Sequence, residues 1–225
     1  MPESLVQVPA DGTGKKLRHR ERTVGANTVY EQYVIAQDER VVSFKGRAGT
    51  FRTPGRAGTT GQKVFALHNA TGSTIFVDVE KIAVDMAATV VKAVTVLPPI
   101  VRLHRFTALP TGGTALAKVA TDTAQTSSAS LTAWQDASGD GTSGTALAVT
   151  IPAGSMIAQE FAPRMVGVTY VAYEPADRMH FLQDDLIELR ALEGLVVNVD
   201  YVLATQNPIT DMWTVTAQWT EYTLP

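Results

Sequence analysis

The chain reads as an all-β protein, a β-sandwich or jelly roll with an extended N-terminal arm and long Gly/Thr-rich loops. Three observations predict this. Short alternations of apolar and polar residues recur along most of its 225 residues, clusters of Gly, Asn, Pro and Ser cut them at short intervals, and no segment keeps an apolar period near 3.6. The clearest case is the C-terminal run Met212–Tyr222. There Trp213, Val215, Ala217 and Trp219 share one face, and Thr214, Thr216, Gln218 and Thr220 the other. A strand whose side chains alternate in this way is half-buried.

The elements follow in order. Residues 1–27, turn-rich and basic, read as an extended arm, and 28–225 as a single β-sandwich domain. Thr28–Ile35 and Arg40–Phe44 read as strands. Gly46-Arg-Ala-Gly-Thr50 recurs as Gly55-Arg-Ala-Gly-Thr59, which suggests a basic loop or hairpin tip. Lys63–His68 and Thr74–Val79 flank Asn69-Ala-Thr-Gly-Ser, the signature of a hairpin turn, with the second strand continuing to Met86. Ala93–Leu97 and Ile100–Thr107 lie on either side of Pro98-Pro99. In the second of these neither face is purely apolar, so it reads as an edge or interface strand. Residues 108–145 form a long loop-rich insertion with one candidate strand at Ser130–Trp134. Strands resume at Ala146–Ile151, Val166–Tyr173, Ile187–Leu192 and Leu195–Leu203.

Composition narrows the function classes. With no cysteine, disulfide frameworks, thiolate metal sites and cysteine nucleophiles are excluded together. Charged residues are only 18%, which suits a protein that hides surface against other subunits. The N-terminus shows no signal-peptide pattern, and no apolar run is long enough for a membrane helix, so the expectation is a protein that stays where it is made. Net charge is −3 but uneven. Residues 1–63 hold eleven Lys and Arg against six carboxylates, a net of +5, which leaves −8 for the rest. That asymmetry favours docking on an acidic neighbour or head-to-tail contact between copies.

No catalytic pattern emerges. His19, His68, His104 and His180 are scattered without metal-ligand spacing. Asp136-Ala-Ser-Gly-Asp-Gly141 begins like a calcium loop but has Leu147 where the closing Glu belongs, so it reads as a turn. Gly12-Thr-Gly-Lys-Lys lacks the first glycine and the final Ser/Thr of a phosphate loop. Glu188 with Glu193, or Asp184 with Asp185, read as surface carboxylates rather than a glycosidase pair. Asn69-Ala-Thr71 reads as a turn rather than a glycan acceptor. Phe44, Phe51 and Phe65 interleave the basic cluster, but an acidic whole chain of pI ≈ 5.8 argues against nucleic acid. The expectation is a non-enzymatic protein with no cofactor or metal. Its candidate partner interface is Lys15, Lys16, Arg18, Arg20, Arg22, Arg47, Arg52 and Arg56, because arginine makes bidentate bonds to carboxylates.

Two phrases resemble structural proteins of tailed-bacteriophage virions. They are Val8–Arg18 with Val24–Val34, and Glu193–Val199 with Asn207–Val215. The resemblance covers about half the chain and leaves Thr107–Thr145 unmatched. It implies a β-rich, homo-oligomeric particle component, with a trimer favoured, assembled in the host bacterial cytoplasm and located in the virion. The leading expectation is a capsid decoration or cement protein bound to the major capsid protein. A tail, baseplate or neck component is the second, and a carbohydrate- or receptor-binding module stacking sugars on Trp134 or tyrosines is the third.

Overall fold

A computed structural model describes residues 3–7, 16–24, 27–33, 41–50, 53–55, 61–88, 99–121, 124–137, 145–161, 179–182, 186–201 and 211–223. The chain divides into two compact units, Met1–Glu39 and Arg40–Pro225. In the first, β1 (Glu3–Gln7), β2 (Lys16–Val24) and β3 (Asn27–Tyr33) form an antiparallel sheet with β2 in the middle. The described part of the expected arm is therefore paired strands. β3 completes this small sheet by pairing with Arg18–Val24 of β2.

The second unit is a β-sandwich with no helix among the described residues. Its principal strands are β4 (Val41–Gly49), β6 (Gln62–Asn69), β7 (Phe76–Ala88), β8 (Ile100–Phe106), β12 (Met156–Phe161), β13 (Met179–Leu182), β15 (Gly194–Asp200) and β16 (Asp211–Thr223). One sheet runs β4-β16-β7-β13 and the other β12-β8-β15-β6, every pairing antiparallel. Successive strands therefore cross repeatedly between sheets, and the first strand lies beside the last. Two interlocked Greek keys of this kind make a jelly roll.

Shorter strands extend the sheets. β5 (Thr53–Pro54) pairs with β16, and β14 (Ile187–Leu189) with β7. β9 (Thr114–Ala115), β10 (Val119–Ala120) and β11 (Leu131–Gln135) come from the expected insertion. β11 pairs with β6 and β9 with β11, whereas β10 pairs with β4 in the opposite sheet. One segment thus straps the two sheets together along the same side. It also covers backbone at the β4 edge: Thr121 N donates to Lys45 O (2.8 Å), and Lys45 N donates to Gln125 Oε1 (2.8 Å).

The sandwich interior joins Trp213, Val215, Ala217 and Trp219 of β16 to Val79, Ile82 and Val84 of β7. Facing them are Phe65 and Leu67 of β6, Val101 and Leu103 of β8, and Leu195, Val197 and Val199 of β15. The β16 alternation is thus realised in the core. A second cluster lies on the outer face of the six-stranded sheet. There Leu147 and Val149 cover Ala66, Phe106 and Val196, with Trp134 and Ile151 packed alongside.

Several local expectations are corrected. β6 and β7 are not a hairpin: the turn between them carries the chain from one sheet to the other. Its Asn69 is buried, donating from Nδ2 to Ile75 O (3.0 Å) and Leu189 O (3.4 Å), which pins the corner. The first Gly-Arg-Ala-Gly copy lies within β4, not in a loop, and residues 56–60 of the second lie outside the described residues. Gly46 sits where a Cβ would run into the Phe44 ring and Val119 O, so the glycine serves close packing. β8 is an interior strand between β12 and β15. Ala146–Ile151 is extended chain with a single bridge, Thr111 to Ala148, rather than a ladder strand. Ala93–Leu97 and Val166–Tyr173 lie outside the described residues.

Candidate functional site

The expected interface residues fall in three places. Lys16, Arg18, Arg20 and Arg22 occupy every second position of β2, the middle strand of the first unit. Arg47 is exposed on β4, opposite Gln218 of β16 and Val119 of β10. Lys15, Arg52 and Arg56 lie outside the described residues. Four of the eight therefore share one strand, and Arg47 belongs to the other unit.

Other candidates have structural roles. Asp136 is buried and accepts from Gln62 Nε2 (2.8 Å) and Leu147 N (3.1 Å), so it fastens the insertion to β6. Glu188 accepts from Tyr222 OH (2.7 Å) and Arg190 Nε (2.9 Å), while Glu193 Oε2 accepts from Arg190 N (2.8 Å) and lies 3.6 Å from Arg105. Both carboxylates are engaged at the β14–β15 turn; Asp184 and Asp185 lie outside the described residues. Trp134 is partly buried against the outer cluster, and its Nε1 donates to Thr132 Oγ1 (3.0 Å).

Glu221 is fully buried. Its carboxylate accepts from Ser127 Oγ, from Ser128 N (2.8 Å) and from Trp219 Nε1 (3.1 Å). Lys118 donates to Ser128 O (2.5 Å) and Leu131 O (2.6 Å). Burial pushes the Lys118 ammonium below its ordinary value, and Glu221 opposes the shift. These groups hold the strap to β16.

Sequence reasoning missed a polar row on the outer face of the six-stranded sheet. Asn198 of β15 stands opposite Lys63 of β6 and Arg102 of β8, and Arg102 opposite Gln159 of β12. Arg102 donates from Nε to Gln159 Oε1 (2.7 Å) and forms an ion pair with Asp200. Asn198 Nδ2 donates to Asp200 Oδ1 (3.0 Å), and Lys63 Nζ to Gly61 O (2.7 Å). These residues are far apart in sequence, and only strand register brings them together.

His104 lies one cross-strand position along from the row, its Nδ1 3.5 Å from Ser155 Oγ. Burial, then the Arg102 and Lys63 charges, push its pKa below 6.5. His68 is buried and stacked on Phe106 at 5.5 Å; burial pushes it down too, opposed by the nearby Thr107 and Leu192 backbone. With folded pKa values below the unfolded one, the unfolded chain takes up protons first as pH falls below 6.5. Stability present above that pH is therefore lost on acidification. The thermal midpoint should fall between pH 7 and pH 5, and His68→Gln should flatten that slope; an identical slope in the variant refutes the contribution of His68.

Among the described residues, no group of three or more His, Asp or Glu side chains is placed to hold a metal ion. No protein-family model, curated protein or solved structure matches the chain.

Proposed function

We propose that the chain is a non-enzymatic structural component of a tailed-bacteriophage virion, a homotrimeric decoration protein that stabilises the head by binding the major capsid lattice. The observation that carries this reading is the first unit, a separate small sheet whose middle strand has Lys16, Arg18, Arg20 and Arg22 at alternate positions. By strand alternation those four positions belong to one face. The unit as a whole holds five Lys and Arg against six carboxylates, and Glu3 and Glu31 stand opposite Arg20, so the basic character is confined to the line along β2. Such a line suits docking to acidic groups of a neighbour, and arginine adds bidentate bonds to carboxylates. The jelly roll supplies the rigid body, and the two phage-like phrases of the sequence supply the particle.

Purified particles test the proposal. The protein should be present in proportion to the capsid lattice, and the Lys16, Arg18, Arg20 and Arg22→Glu variant should stay folded yet fail to bind particles lacking the wild-type protein. Raised salt should slow docking, because exposed charges act mainly on the association rate. Absence from particles, a copy number far below that of the lattice, or undiminished binding by the charge-reversed protein overturns the reading.

A further inference from the structure

We propose that the chain covering the outer face of the six-stranded sheet, residues 107–113 and 145–155, is an acid-released lid, opened by protonation of His68 and His104 while the sandwich beneath stays folded. Both histidines belong to that face. His68 follows Ala66 by two positions on β6, and His104 stands opposite Val196 of β15. Phe106 joins them to the lid. It packs under Leu147 and Val149, and its ring reaches across β15 to stack on His68, with 5.5 Å between centroids. Gly194 permits this, because a Cβ there would run into the Phe106 ring.

The lid is lightly held. Thr111 N donates to Ala148 O (3.0 Å) and Ala148 N to Thr111 O (2.8 Å), Gly113 N donates to Thr145 O (3.0 Å), and Leu147 N to Asp136 Oδ1 (3.1 Å). A single bridge stands here in place of a ladder, so opening it costs less than unfolding the sheets. Opening frees both histidines. The Thr107 backbone lies beside the His68 ring, and the chain runs from there to the Thr111–Ala148 bridge. At the other end of the lid, Ser155 Oγ lies 3.5 Å from His104 Nδ1, and Ser155 O accepts from Arg105 N (3.0 Å).

Closed, the lid suits only neutral imidazoles. His68 is 1% exposed and neither of its ring nitrogens has a hydrogen-bond partner, so the imidazolium would bury a second unmet donor together with a charge. Residues 107–113 and 145–155 hold only Ala, Gly, Ile, Leu, Pro, Ser, Thr and Val, so the lid brings no counter-charge. Nor do the flanking strands. Gly194 and Thr132 stand opposite His68, while Glu193 accepts from Arg190 N and lies 3.6 Å from Arg105. Beside His104, Arg102 and Lys63 repel a positive ring, and Asp200 is engaged by Arg102 and Asn198. On β12, Met156 stands opposite His104, and Glu160 lies farther along, opposite Val101. Burial holds both rings below the ordinary 6.5 in the closed form, and opening returns them to water. Opening therefore takes up protons and is favoured as pH falls below 6.5.

This inference is independent of the virion reading. The test is amide exchange of the full chain, corrected for the intrinsic slowing of exchange in acid. From pH 7 to pH 5 the amides of Thr111, Gly113, Leu147 and Ala148 should lose protection about tenfold or more. At pH 5 they should still exchange at least about tenfold faster than the amides of β7 and β16, the mark of a local opening. His68→Gln with His104→Gln should abolish the acid gain in exchange. If the His68 variant does not fold, half-buried His104 decides, and His104→Gln alone should cut the gain severalfold. Lid amides as protected as those of β7 and β16, no gain on acidification, or a gain undiminished in the folded variants overturns the proposal.

Discussion

Trp219→Ala should destabilise the jelly roll by about 3–5 kcal/mol, the usual cost of truncating a large buried aromatic. Trp219 is 1% exposed in the central strand of its sheet, with the Phe44 ring centroid 6.2 Å away. Its indole Nε1 donates to the buried Glu221 carboxylate, so truncation opens a cavity and removes a donor from a charge at the same time. Neither loss is easily relaxed, because β4 and β7 flank β16 on both sides. For a domain of this size each kcal/mol lowers the melting temperature by roughly 2–4 °C. Calorimetry should therefore show a large downward shift, and an unchanged midpoint would place Trp219 outside the core.

Glu221→Ala is the second large effect, about 2–4 kcal/mol. Two N–H donors, Ser128 N and Trp219 Nε1, lose their acceptor at roughly 1–3 kcal/mol each, with half-buried Ser128 able to turn partly to water. Lys118 also loses the nearby negative charge that offsets its burial. The damage should concentrate in the strap. Amide exchange at Leu116, Thr121 and Leu131, whose N–H groups bond Ala133 O, Lys45 O and Ser128 O, should accelerate more than exchange in β15. Glu221→Gln, which keeps the shape and one acceptor, should restore part of the loss. Uniform acceleration across both sheets, or none, would show that Glu221 does not anchor the strap.

The fold class was legible because β16 faces core on one side and not on the other, so Trp213 to Trp219 print a clean alternation. The strand order was not, because it depends on pairings such as Trp219 with Gly46, far apart in the chain. Local chemistry misled in one place for a physical reason: Asn69-Ala-Thr-Gly-Ser turns the chain equally well within a sheet or between two. β8 was misjudged because Phe106 points to an outer face that Leu147 and Val149 cover, which no local pattern announces. Asp136 read only as part of a Gly/Asp/Ser turn because its partner Gln62 lies far away in the chain, in β6. The polar row was invisible for the same reason, since Lys63, Arg102, Gln159 and Asn198 meet only through register.

The place of β16 also governs how the domain comes into being. It lies between β4 and β7, so the two strands that emerge early from the ribosome have no direct ladder between them and wait for Asp211–Thr223. At about 5–20 residues per second, that wait lasts roughly ten seconds or more of synthesis. Throughout it β4 and β7 lack the neighbour that sits between them, and the edges on that side are open to other nascent chains. Folding of the seven-stranded sheet is therefore dominated by one long-range closure, and slow for the size of the domain.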